Sequence, residues 1–220
     1  VGVGVGVGVG GGVGGGGGGA SGATFQTAGD ANSEVSLDKA THVNLGAVEV
    51  RTLTAPEAET VKLGYMGTLN GDTTIDAEDA TSIEIGATKI GTHSLTITAK
   101  DDGKVSLNGL TEAGQGITIT GGSLEAGKLK TVTGTITINK AKSISLPALE
   151  KVSGQITAPD ANSFTAEKFI VSDVLELAGA EEVTIASAAT ASLTAADLEK
   201  LTLKASQNHF KINPKRYLKY

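Results

Sequence analysis

The chain has 220 residues, with 31 Gly, 4 Pro, one Met and neither Cys nor Trp, a length suited to one domain or to one domain plus a tail. Its 24 Asp and Glu outnumber 18 Lys and Arg for a net charge of -6, so it lacks the dense positive charge that nucleic-acid binding needs. Four Phe and three Tyr leave little material for base stacking or aromatic sugar platforms, and the lack of cysteine removes disulfides, thiolate nucleophiles and Cys-ligated zinc together. Residues 1–19 are Val and Gly alone. They read as a flexible linker, as a strand with one apolar face, or as letters standing in for unidentified residues. Residues 1–32 are therefore set apart as a low-complexity segment and linker. No run of the chain reaches the roughly 18 apolar residues of a membrane helix.

From residue 33 the texture changes to short runs in which apolar residues alternate with Thr, Ser, Lys or Glu. Examples are SLTIT (94–98), GITIT (116–120), GTITIN (134–139), VLELA (174–178) and EVTIA (182–186). Period-two alternation with β-branched residues is a strand signal, and Gly, Asn and Asp separate many of the runs. Only TAADLEK (194–200) offers a single helical turn. The chain is predicted to be all-β.

An early acidic stretch, NGDTTIDAEDATSI (70–83), places oxygen ligands at Asn70, Asp72, Asp76 and Asp79. It resembles a dockerin or EF-hand half-loop, which implies calcium, a cation that takes six to eight oxygens at short range. The first loop position is Thr68 rather than Asp, Thr73 stands where the turn glycine belongs, and no helix follows. Read without calcium, the same stretch is an acidic turn between two coils.

Spacing carries more than the strands themselves. One apolar column runs Ile75, Leu95, Ile117, Ile136, Ile156, Leu175 and Leu193; a second runs Leu63, Ile83, Val105, Leu124, Ile144, Phe164, Val183 and Leu201; a third is Leu110, Leu129, Leu149 and Phe169. The columns lengthen and shorten together at about 20 residues, the mark of a solenoid whose coils bury their apolar faces only against neighbouring coils. An elongated β-solenoid over 33–205 is the expected fold. On its wet side the series Thr96/Thr98, Thr118/Thr120, Thr135/Thr137 and Thr157 reads in two ways. Regularly spaced hydroxyls order water, as in ice-binding solenoids; threonine is also simply a good residue for a solvated strand face.

The best pair of coils, LEAGKLKTVTGTITI (124–138) and ISLPALEKVSGQITA (144–158), carries a pattern of leucine, valine, glycine and isoleucine. It falls at Leu129, Val132, Gly134 and Ile136, then at Leu149, Val152, Gly154 and Ile156. This resembles bacterial surface leucine-rich-repeat-like solenoids and receptor L-domain repeats over about 80 residues, without the regular asparagine ladder of standard leucine-rich repeats. The resemblance implies an extracellular or cell-surface bacterial protein: an adhesive or structural module, a subunit of a fibre or layer, or exported cargo. The alternative is a solenoid displaying a glycan- or protein-binding site.

Catalytic chemistry finds no constellation in the sequence. His42, His93 and His209 stand far apart, no Gly-x-Ser-x-Gly elbow precedes a helix, and the glycines of 114–123 do not continue into a P-loop. Polysaccharide lyases of β-helical build use acidic ligands and a basic residue, yet arginine occurs only at 51 and 216. The expectation is a protein that is not an enzyme and holds no redox or nucleotide cofactor. The last segment, 206–220, is a basic aromatic tail or the start of a further domain. Its Lys211, Lys215, Arg216, Tyr217 and Tyr220 are candidates for docking to a protein partner or to another copy, since the rest of the chain is acidic.

Overall fold

The computed structural model describes residues 23–26, 34–45, 50–69, 71–171, 174–188, 192–204 and 211–212. Among them there is no helix; 23 short strands form two sheets, of 11 and 12 strands, whose neighbours beyond the first pair are non-consecutive in sequence. The chain is a parallel β-solenoid of about eight turns with roughly 20 residues per coil. At about 4.8 Å per coil, the stack is a rod on the order of 40 Å long.

One coil shows how the alternation makes the fold. Gly116–Thr120 forms a first face, Ser123–Glu125 a second and Thr131–Val132 a third. Ile117, Ile119, Leu124, Ala126, Leu129 and Val132 point inward and are buried, while the strand residues between them, Thr118, Thr120, Ser123 and Glu125, are exposed or half-buried. Full burial of each large aliphatic side chain contributes about 1.5–3 kcal/mol. No coil closes a core alone, so this energy is realised only when coils stack. In some coils the second and third faces are one bent strand: Ser82–Ile90 pairs at its start with Lys104–Ser106 and at its end with Glu112–Ala113.

Corners are short turns closed by backbone hydrogen bonds three residues apart. Ala80 N–H donates to Ala77 O, Leu129 N–H to Ala126 O, and Leu149 N–H to Leu146 O, at 2.9–3.2 Å. The acidic residues Glu78 and Asp79 are the exposed pair of such a turn, which joins two faces of one coil and not two coils. TAADLEK is likewise a corner, with a turn at Ala196 and Asp197, and no helix forms there.

Pairing confirms the two main columns from Leu95 and from Ile83 onward: Leu95, Ile117, Ile136, Ile156, Leu175 and Leu193 are stacked partners. Ile83, Val105, Leu124, Ile144, Phe164, Val183 and Leu201 are stacked likewise. Both first members are corrected by two residues. Leu95 lies beside Thr73, with Ile75 beside Ile97; Ile83 lies beside Val61, with Leu63 beside Ile85. The third column is buried throughout.

The ends differ from the interior. Ala23–Gln26, inside the segment read as linker, pairs antiparallel with Glu34–Leu37 and covers the first edge of the 11-stranded sheet. Lys211–Ile212 pairs parallel with Ser192–Thr194, so these two residues of the basic tail form a further solenoid strand.

Candidate functional site

The most regular surface of the molecule is the outside of the first face. Thr52, Thr74, Thr96, Thr118, Thr137 and Thr157 are consecutive register partners, six coils of threonine stacked without interruption. Glu34 precedes this column and Glu176 follows it, with Thr194 beyond. A second column, two residues along each strand, holds Ser36, Thr54, Asp76, Thr98, Thr120 and Asn139. All of these side chains are exposed or half-buried. The register of this face carries no bulge, whereas irregularities occur on the other sheet, at 63–68 and 166–170.

The array is larger than the sequence alone implied. The expected series lacks Thr74 because its coil is shifted there by two residues, and lacks Thr52 and Thr54 because the expected column starts only at Ile75. Thr135 is also corrected. It stacks ahead of the strand beside Gly116, and the pair in its coil is Thr137 with Asn139. The signal that finds the missed residues is the TLT run at 52–54, which repeats TIT at 96–98 and 118–120.

Each threonine presents a methyl and a hydroxyl on a strand that leaves χ1 little freedom. Among the described residues, Thr157 alone of its column has its hydroxyl engaged by another side chain, accepting from Gln155 Nε2 at 3.3 Å.

Charge is arranged differently. Lys62 and Glu84, Lys89 and Glu112, and Lys200 and Glu182 are cross-coil partners on the second and third faces at 3.0, 3.0 and 3.7 Å. Lys104 and Glu125 pair there too, which holds the Glu125 carboxyl below its usual range. Lys39–Glu57 and Lys140–Asp101 lie at corners. None of these ion pairs joins two residues of the threonine columns.

The calcium candidates are dispersed. Asp72 immediately precedes the strand Thr73–Asp76 and Asp76 ends it, roughly 13 Å apart for an extended strand, and Asp79 sits in the next corner. Asn70 lies outside the described residues. Asp72 Oδ1 accepts from Ser94 N–H at 2.8 Å and Ser94 Oγ at 2.9 Å, with His93 Nδ1 3.9 Å away. These bonds, first of all the backbone N–H, hold its carboxyl below the ordinary carboxylate range. Among the described residues, no three His, Asp or Glu gather as a metal site. Of the tail candidates, Lys211 is placed only by its backbone; Lys215, Arg216, Tyr217 and Tyr220 lie outside the described residues. Elsewhere, His42, Asn44, Thr60, Lys62, Ser82 and Glu84 line a shallow, open depression of about 450 Å³ on the second face.

Fold and surface together define a β-solenoid repeat protein with one hydroxyl-bearing face and charged sides. No protein-family model, curated protein or solved structure matches the chain. Among the described residues, no helix is long and apolar enough to cross a membrane.

Proposed function

We propose that the chain is a non-enzymatic structural and adhesive module of a bacterial cell surface, one rigid unit of a fibre, layer or stalk. The observation that carries this reading is the continuous stack of about eight coils, tied along its length by parallel ladders and a single core. Such a rod resists bending and holds an adhesive face at a fixed distance from its anchor. The likeness to receptor L-domain and surface leucine-rich-repeat-like repeats supports the same role. Its motif residues Leu129, Val132 and Ile136 fill one corner of the core, and Leu149, Val152 and Ile156 fill the next.

Antibody labelling of intact producing cells tests the location: labelling without lysis is expected, and signal only after lysis overturns the proposal. Negative-stain images and a glycan array then separate the two forms of it. Filaments or sheets assign a structural subunit, whereas a monodisperse monomer retained on a glycan assigns a display rod.

A further inference from the structure

We propose that the threonine face binds ice. The proposal stands apart from where the rod resides, because it rests on the surface alone.

Ice differs from liquid water only in where its oxygens sit. It offers no charge and no functional group that water lacks, so a protein can recognise it only by holding groups at a matching period. The first face supplies that period in two directions. Along the rod, Thr52 to Thr157 repeat at the coil spacing, about 4.8 Å. Across it, Thr96 and Thr98, or Thr118 and Thr120, lie two residues apart on a strand, about 6.6 Å. The array is nearly rectangular, and its spacing along the rod lies near the shorter repeat of the oxygen rows of hexagonal ice. The absence of bulges on this face keeps the array in phase from coil to coil.

Threonine suits the task chemically. Its hydroxyl bonds one lattice water while its methyl shapes the water beside it, and its restrained χ1 means little entropy is lost when the lattice forms. Between Thr96 and Thr157 both columns are uncharged. A carboxylate or ammonium in that field would keep its own hydration shell and spoil the register. The Lys–Glu and Lys–Asp pairs lie on the other faces and corners, as a neutral lattice requires of its binder, and His93–Asp72 stands at the margin of the first face, before Thr74 and Thr96. Asp76 marks where the second column stops matching, and Glu34 and Glu176 bound the first.

The competing occupant is a crystalline polysaccharide, which also has a flat repeating surface. Such surfaces are usually gripped by aromatic rings stacked on sugar faces, and the two columns hold Thr, Ser, Asn, Asp and Glu alone.

The test is ice shaping and thermal hysteresis of the purified full chain, beside Thr118→Lys and Thr137→Lys on the face and Thr165→Lys on the second face. Circular dichroism confirms that each variant keeps its β-sheet. Wild type and Thr165→Lys are expected to facet ice crystals equally, and each face variant to fall below half their hysteresis. Round, unshaped crystals from folded wild type overturn the proposal, as does equal loss in all three variants. Retention on chitin or cellulose, with no effect on ice, overturns it and assigns the face to polysaccharide.

Discussion

Corner glycines show at the residue scale how closely the coils approach. A Cβ on Gly134 would sit 0.9 Å from the carbonyl oxygen of Gln115, and one on Gly121 (φ +79) 2.0 Å from that of Ala99. The obstacle is backbone of the preceding coil, so relief requires the coils to separate. Gly134→Ala is expected to cost about 1–3 kcal/mol or more, whereas Gly127→Ala, which meets only the side chain of Asn108 at 3.3 Å, is expected to be nearly neutral. Chemical denaturation of both variants measures the contrast. Lys140 adopts φ 65 without being glycine. Its N–H donates to Asp160 Oδ2 of the following coil at 2.8 Å and its ammonium reaches back two coils to Asp101 at 3.2 Å, so contacts on both sides hold it there.

Asp72 gives a pH signature at the same scale. Its carboxylate is favoured in the folded chain by the N–H and hydroxyl of Ser94. A depressed folded pKa contributes stability above the ordinary value of 3.8 and loses it as pH falls through the folded value. Wild type is therefore expected to melt above Asp72→Asn at neutral pH, with the gap closing as acid is added. A gap that is constant with pH would show that the bond does not depend on the charge.

The sequence pattern meets its limit at the scale of the strand and coil. Alternation with period two identifies which residues face inward, and a slip of one residue would turn every side chain over. A slip of two preserves the faces. That is why Ile75 and Leu63 were aligned with Leu95 and Ile83 when their partners are Ile97 and Ile85. The same slip hid Thr74, because it stands opposite Thr96 only in the true register. Corners escaped for another reason: Ala, Gly, Leu and Pro all serve in these turns, so no single residue type marks them. The Leu129 to Ile136 unit was readable because one coil repeats it and each residue has a single job in the core.

Energies at this scale are unequal. Ile119→Ala, at a fully buried position, is expected to cost about 2–5 kcal/mol. Glu84→Gln removes an exposed pair with Lys62 and is expected to cost less than about 1 kcal/mol. Unfolding in urea at low and high salt separates them, since only the second effect fades with screening.

Across the whole molecule, each coil contacts little beyond its two neighbours, so stability is a chain of nearest-neighbour terms. Position along the rod then decides what a lesion does. Ile136 is fully buried with a partner coil on either side, Ile117 before it and Ile156 after. At the far end Leu198 and Leu201 are only partly buried, and Leu203 is 43% exposed. An aspartate at 136 would be buried without a counter-charge and would break the contacts on both sides. Ile136→Asp is expected to abolish cooperative unfolding of the rod, leaving at most short stacks that melt separately. Leu201→Asp, which can turn its carboxylate toward water, is expected only to fray the last coil and lower the melting temperature by a few degrees. Thermal melts followed by circular dichroism, with hydrogen exchange to locate the loss, distinguish these outcomes. Equal damage from both variants would mean that the coils fold as one indivisible unit, and the nearest-neighbour account of this rod would fail.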